Sequence, residues 1–325
     1  MKFASIDIGT NTLRLLIATE DKFSQGLNPK GYKRVITRLG GGYTDEVGIS
    51  PDAAKRSLDA LRDFKSIMND HGVKKVTAVA TSVVRRAKNG SEFIASVKAE
   101  TGIEIEVIDG VDEAGLTFFG VMFVVEDRWD NSITRLIFDI GGGSTEFSVA
   151  KGLDIEKSWS MELGVVELTE KFLKSDPPTP EELGAMREHI SKNISELKSL
   201  MKDSSIDTEK LSSDAGVFLM GTAGTITTLA SVSMRLKEYN PNFINKCTLS
   251  KKKISDIYDR LSAMTIAERS EVVGLEKGRE DLIIAGTAIV LEVMDSFCFD
   301  DLKVSDGGLL EGVMLKQMWE SRAGE

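Results

Sequence analysis

The feature that most constrains this chain is a phrase that occurs twice. Asp7-Ile8-Gly9-Thr10-Asn11-Thr12 lies near the start, and Asp139-Ile140-Gly141-Gly142-Gly143-Ser144-Thr145 returns later. Each copy follows an apolar run, Phe3-Ala4-Ser5-Ile6 before the first and Leu136-Ile137-Phe138 before the second. Glycines let a backbone approach a ligand closely, amides and hydroxyls donate to phosphate oxygens, and a strand-end carboxylate can hold a hydrated cation. Two such turns predict two similar half-domains facing one anionic ligand across a cleft.

Length agrees with duplication, because 325 residues exceed the usual size of one core. With 41% hydrophobic and 28% charged residues, the composition points to neither a disordered nor a fibrous class. No apolar run approaches the ~20 residues that span a bilayer. The first strand begins almost at once, without the apolar region of a signal peptide. A cytoplasmic location without a membrane partner is therefore expected. Cys247 and Cys298 stand in unrelated contexts, which predicts neither a disulfide framework nor a cysteine zinc motif.

The net charge of −10 argues against DNA or RNA as a partner. A polyanionic substrate must then be held by local devices: backbone amides, a few arginines and a divalent cation. Histidine occurs only at His71 and His189, which excludes a serine–histidine triad and a histidine-rich metal centre as easy readings. His71 precedes Gly72 at an expected helix end, and His189 falls in a charged amphipathic helix, so both are read as structural or solvated.

Periodicity and caps divide the chain into strands and helices. Strands are expected within 2–20, 33–39, 73–80 and 103–108, then at 135–139, 146–151, 158–163, 217–220 and 302–304. Ser50-Pro51 starts a helix that runs to about residue 69, and further helices are expected near 91–101 and 111–124. Thr179-Pro180 with Glu182 forms a capping box for a helix to about 202. Helices near 165–172, from 226, at 251–263, at 280–297 and at 309–319 follow. The polar stretch Glu126–Asn131 breaks the pattern and marks a domain boundary, giving domains 1–127 and 128–325. The last helix, near 309–322, is expected to pack back on the first domain. Strands followed by alternating strands and helices, in two copies, indicate an α/β fold with mixed sheets.

Four glycine-rich turns follow short apolar strands: 7–12, 139–145, 221–225 and 305–308. None matches a Walker A loop or a dinucleotide glycine fingerprint. In α/β sheets, ligands gather where such turns collect, at the carboxyl ends of strands. Asp109-Gly110-Val111-Asp112-Glu113-Ala114 opens a helix directly after a strand. Acids in a first turn can simply complement the helix dipole. Hydrolysis of a phosphoanhydride, however, needs a group that accepts a proton from water, and with histidine scarce Glu113 is the natural candidate. The pair Arg85-Arg86 follows the strand at 73–80 and could clamp phosphate or simply face solvent.

The order of these motifs resembles the exopolyphosphatase / guanosine pentaphosphate phosphohydrolase family. The matching pieces are Ser5–Thr12, Ala80–Arg85, Gly110–Ala114, Phe138–Glu146, Leu163–Val166, Gly221–Thr225, Gly274-Leu275 with Arg279 and Asp281, and Val304–Leu309. They cover essentially the whole chain in family order. The resemblance implies two duplicated ribonuclease H-like domains of the actin-like, sugar kinase and Hsp70 ATPase superfamily. It implies magnesium-dependent release of terminal phosphate from inorganic polyphosphate or guanosine pentaphosphate, with Mn²⁺ as the alternative ion. Glu113 falls on the family's catalytic glutamate, and Asp7, Asp139 and Glu146 on acidic positions near the metal. Gly9, Thr10, Asn11 and Thr12 fall on the first phosphate loop, and Gly141, Gly142, Gly143, Ser144 and Thr145 on the second. Arg85 matches a phosphate-facing arginine, and Gly221, Thr222, Gly224 and Thr225 form a further phosphate or nucleotide turn. The chain lacks the additional helical region of the long members, so the short two-domain form is expected.

Three departures bear on substrate. The family commonly has arginine where this chain has Gly115, Glu167 and Leu310, which disfavours a long basic channel and favours short chains, nucleotides or pyrophosphate-like substrates. Arg86, Lys88 and Arg279 are candidates to compensate. The expected mechanism seats the terminal phosphate between the first two loops, with Glu113 taking the proton of the attacking water and a hinge near 126–131 closing the cleft. A non-catalytic nucleotide-binding sensor and a kinase of actin-like fold are the alternatives, since fold alone does not fix function. A homodimer is the expected assembly, twofold pairs being the commonest oligomers.

Overall fold

The computed structural model describes residues 1–21, 26–125, 130–212 and 216–323. Contacts divide the chain into two compact units, Met1–Phe123 together with Gly307–Glu325, and Val124–Asp306. The expected boundary between 127 and 128 lies outside the described residues, as does most of the expected hinge. Among the described residues, no helix is long and apolar enough to cross a membrane.

The first unit is built on a five-stranded sheet of order β3-β2-β1-β4-β5. Its strands are β1 (Lys2–Ile8), β2 (Thr12–Asp21), β3 (Gly26–Ile36), β4 (Lys75–Ala80) and β5 (Ile105–Val107). The β1-β2 and β2-β3 pairs are antiparallel, whereas β1-β4 and β4-β5 are parallel. The helices are α1 (Pro51–Asp70), α2 (Ser82–Arg86), α3 (Gly90–Thr101), α4 (Gly110–Val124) and, from the end of the chain, α12 (Leu309–Ala323). The period of two along β1 sorts its side chains onto two faces. Ala4, Ile6 and Ile8 join a core with Leu61 and Phe64 of α1 and Phe93 and Val97 of α3. On the other face Phe3 packs with Leu310, Met314 and Met318 of α12, and the Ser5 hydroxyl donates to the Leu310 carbonyl at 2.9 Å. Both faces are thus covered, and the strand ends with their turns are left to meet ligands.

The second unit repeats the plan. Its strands are β6 (Thr134–Ile140), β7 (Thr145–Lys151), β8 (Asp154–Met161), β9 (Phe218–Thr222), β10 (Thr248–Ser250) and β11 (Asp301–Val304), in the order β10-β11-β9-β6-β7-β8. Again three strands form an antiparallel meander and continue into parallel pairs, β6-β9 and β9-β11, with β10 added as an antiparallel edge. This is the duplicated ribonuclease H-like arrangement that the family resemblance implies. The helices are α5 (Val165–Phe172), α6 (Pro180–Asp203), α7 (Ala223–Met234), α8 (Pro241–Ile244), α9 (Lys251–Ser262), α10 (Ile266–Ser270) and α11 (Ile283–Ser296). Leu136, Phe138 and Ile140 of β6 share one core with Met186, Ile190 and Leu197 of α6 and with Ile289 and Val293 of α11. The capping box of α6 forms as expected: Thr179 accepts from the Glu182 amide, and Glu182 accepts from the Thr179 amide.

Candidate active site

In the first unit, the turn Gly9–Asn11 joins β1 to β2. The Gly9 amide donates to the Thr12 carbonyl at 3.1 Å, closing the turn. Residues 37–40 wrap around it. The amides of Thr37 and Arg38 both donate to the Asn11 carbonyl, and the Gly40 amide donates to the Thr10 carbonyl at 2.8 Å. The Thr10 hydroxyl and the Asn11 carbonyl oxygen Oδ1 are buried and have no hydrogen-bond partner in the protein. Buried polar atoms are normally satisfied, so such orphans mark a place where a ligand or water completes the set. The Asn11 amide donates to the Thr12 hydroxyl at 3.3 Å.

In the second unit the turn Gly141–Ser144 joins β6 to β7 in the same way, the Gly141 amide donating to the Ser144 carbonyl at 2.9 Å. The carbonyls of Gly141 and Gly142 accept from the amides of Val165 and Val166 at the start of α5. Gly164 lies so close that a Cβ there would come within 2.2 Å of the Gly142 carbonyl oxygen, which explains the glycine. The Thr145 hydroxyl donates to the Leu163 carbonyl and ties the same segment down.

The two hairpins differ in one charged rung. In the first sheet Asp7 stands opposite Arg14, and Arg14 opposite Arg34. Arg14 Nε donates to Asp7 Oδ2 at 2.8 Å, so this acid, expected near a metal, is engaged by a cation of its own sheet. In the second sheet Asp139 stands opposite Glu146, and Glu146 opposite Ser160, whose hydroxyl donates to Glu146 Oε1 at 2.7 Å. Asp139 and Glu146 are 9% and 2% exposed. Directly opposed like charges are unfavourable in a sheet, and more so when desolvated. A hard cation compensates such a pair, and an all-oxygen donor set fits Mg²⁺ or Mn²⁺. Among the described residues no three acidic, histidine or cysteine side chains converge to hold a metal by themselves. An ion at this pair would keep water ligands, as Mg²⁺ usually does.

Glu113 lies in the first turn of α4 and is buried. Asp109 caps this helix, its Oδ1 accepting from the amides of Val111 and Asp112. Arg85, in the last turn of α2, sends Nη1 to Glu113 Oε2 at 3.2 Å and to the Ile108 carbonyl at 2.8 Å. Arginine and glutamate, distant in sequence, are thus brought together where β4 and β5 end. The neighbouring cations are used elsewhere: Arg86 lies over the Tyr43 ring at 5.2 Å, and Lys88 donates to the Glu46 carbonyl.

The turn at 221–225 runs from β9 into α7. Gly221 packs against Phe138 and Ile226, and Thr222 is the N-cap residue. A Cβ on Gly224 would lie 1.9 Å from the Arg279 guanidinium, which therefore rests on the first turn of α7. Thr225 packs in the same manner against Gly286. A cation beside a helix N-terminus opposes the helix dipole, and an anion there satisfies both. Glu276 meets Arg279 at 2.6 Å. The fourth turn is structural in what it shows: the Ser305 amide donates to the Gly221 carbonyl, and Gly308 presses against Gly120 of α4. Of the three departures from the family's arginines, Gly115 and Glu167 are half-buried, while Leu310 is a core residue on α12. Both histidines are peripheral. The His71 imidazole bonds the Ile67 carbonyl at the end of α1. His189 packs on Phe172, and burial, with Lys171 and Lys192 adding to it, holds its pKa below the ordinary value.

The sequence profile of the Ppx/GppA phosphatase family matches residues 16–321. The chain is 34% identical over 323 residues to a bifunctional 3-dehydroquinate synthase/phosphatase of Fusobacterium nucleatum, covering 95% of this chain but only 46% of that protein. It is 31% identical over 326 residues to exopolyphosphatase 2 of Mycobacterium tuberculosis, covering 97% of this chain and 98% of that one. Among solved structures, the Ppx/GppA family member of Aquifex aeolicus superposes with a TM-score of 0.79 at 31% identity, covering 99% of this chain and 98% of the other.

Proposed function

Since the chain belongs to the Ppx/GppA phosphatase family, we propose that it hydrolyses phosphoanhydride bonds, releasing terminal phosphate from inorganic polyphosphate, guanosine pentaphosphate or both. The observation that carries this reading is the buried Glu113 at the start of α4, set 3.2 Å from Arg85. Water attacking a terminal phosphorus must lose a proton, and a carboxylate fixed by an arginine is a suitable acceptor in a chain with two peripheral histidines. Glu113 aligns the water and takes the proton, and Arg85 fixes the carboxylate and faces phosphate. The turns Gly9–Thr12, Gly141–Thr145 and Gly221–Thr225 donate amides and hydroxyls to phosphate oxygens, where charge develops as the bond breaks. Asp139 and Glu146 would hold a magnesium or manganese ion. When bound, the ion supplies positive charge to those oxygens.

Substrate length follows from the cations present. With Gly115, Glu167 and Leu310 in place of arginine, short oligophosphates and nucleotides are the favoured substrates over long polyphosphate. We place the protein in the cytoplasm as a homodimer, which light scattering of the purified chain checks. The deciding experiment measures phosphate release with Mg²⁺ from long polyphosphate, tripolyphosphate, guanosine pentaphosphate and ATP, with Glu113→Gln as control. Turnover should fall by about 10²–10⁴ in the variant while substrate binding persists. Undiminished turnover removes Glu113 from the mechanism, and saturable binding without release by the wild type makes the protein a sensor.

A further inference from the structure

Five non-glycine residues among those described have a left-handed backbone: Arg38, Ser205, Ala223, Arg235 and Cys298. Three need no special account. Ser205, Arg235 and Cys298 follow or form the C-caps of α6, α7 and α11, where this conformation is ordinary. The other two lie at glycine turns of the candidate active site. Ala223 opens α7, and Arg38, with φ of 49°, belongs to the segment that wraps the 9–12 turn.

Arg38 is held there firmly. Its amide donates to the Asn11 carbonyl at 2.9 Å, and its carbonyl accepts from the Gly41 amide at 2.9 Å. Its neighbours Thr37 and Leu39 are 2% and 0% exposed, and Arg56 Nε donates to the Thr37 carbonyl at 3.0 Å. Arg38 itself is exposed. A left-handed backbone costs free energy for any residue with a Cβ, and glycine, which already occupies positions 40–42, would avoid that cost. Strain of this kind persists where the surroundings over-determine it, and it collects at ligand sites.

Two further observations bear on the ligand. The unpartnered hydroxyls of Thr10 and Thr37, 5% and 2% exposed, lie on the turn and on its wrap. Arg14 and Arg34 oppose each other in register one rung from the turn, with Asp7 as the acid of that rung. Asp7 offsets one of these charges through its ion pair with Arg14, and the rung as a whole carries two cations to one acid. We propose that Arg38 is a substrate-binding residue, its strained backbone fixed so that the guanidinium engages a phosphate seated on the 9–12 turn. The planar fork of arginine suits a phosphate oxygen pair. Arg38 then supplies locally one of the cations absent at positions 115, 167 and 310. The inference rests on the reading of 9–12 as a phosphate turn.

The test compares Arg38→Gly and Arg38→Lys with the wild type. Glycine removes the charge and relieves the backbone, while lysine keeps both charge and strain. Calorimetry gives Tm, and titration with tripolyphosphate in Mg²⁺ gives Kd, alongside KM and kcat for phosphate release. Arg38→Gly should melt at or above the wild-type temperature, by about 2–4 °C if the strain is relieved fully. It should bind tripolyphosphate about tenfold or more weakly, with the loss in KM rather than kcat, and Arg38→Lys should recover part of the affinity. Affinity lost together with Tm makes Arg38 a structural residue and overturns the proposal. Unchanged Kd and KM also overturn it, and if Glu113→Gln still abolishes release, the proposed function survives that failure. A wild type that neither binds nor cleaves any phosphate removes both.

Discussion

Replacing Glu146 by glutamine tests the acidic rung of the second sheet directly. Asp139 and Glu146 are directly opposed on β6 and β7, so their Cβ atoms are about 5 Å apart. Two carboxylates held about as close as that would repel by about 3 kcal/mol at an effective dielectric of about 20. Glutamine has the same shape and keeps the oxygen that accepts from the Ser160 hydroxyl while removing the charge. In metal-free buffer the variant should therefore be more stable than the wild type, by about 1–3 kcal/mol, seen as about 2–4 °C in Tm for each kcal/mol. Adding Mg²⁺ should reverse the order. A ligand that binds only the folded wild type stabilises it by about 2.7 kcal/mol at a hundred times its Kd, and the variant should gain far less. Calorimetric melts with EDTA and over a magnesium titration measure both effects. A variant that melts lower without metal, and gains as much from magnesium as the wild type, refutes the argument that this rung is a cation site.

Two further substitutions probe close backbone approaches. Gly224→Ala places a Cβ against the Arg279 guanidinium, which must swing off the first turn of α7, so KM for phosphate substrates should rise while Tm hardly moves. Equal KM in variant and wild type would detach Arg279 from binding. Gly312→Ala drives a Cβ to within 1.9 Å of the Leu116 carbonyl oxygen between α12 and α4, which should cost about 1–3 kcal/mol in urea unfolding. Gly184→Ala in α6 meets no atom within 4 Å and should instead stabilise by about 0.4–1 kcal/mol.

Local signals in the sequence carried most of the fold. Ser50 with Pro51 and the Thr179 capping box place the starts of α1 and α6 correctly because a cap acts within four residues. The edge strands were less legible. β3 begins at Gly26 rather than near 33, and β8 at Asp154 rather than 158. Each is an outermost strand of its sheet, and its early residues are mostly exposed or half-buried, so no apolar alternation marks them. The short α8, α10 and β10 escaped for want of length. At the site, the glycine turns and Glu113 stand out in the sequence because glycine and acid at strand ends are rare enough to notice. The meeting of Arg85 with Glu113 depends on β4 and β5 pairing in parallel, which no local pattern states. The left-handed backbone of Arg38 left no trace either, since its hydrogen bond to Asn11 links it to a turn distant in sequence.

The duplicated hairpins explain how an acidic chain can handle an anionic substrate. Each copy has an acid at the end of its first strand, seven positions before the residue that faces it across the turn. In the first copy that residue is Arg14, and a second arginine, Arg34, continues the rung. In the second copy it is Glu146, backed by a serine. The two copies thus differ in charge at one position. Under the proposed function, the arginines of the first sheet suit an anion and the paired acids of the second suit a cation. The proposal thus assigns the anion to the half with Asp-x6-Arg and the cation to the half with Asp-x6-Glu. Exchanging them, by Arg14→Glu with Glu146→Arg, should abolish phosphate release even though the turns themselves are untouched.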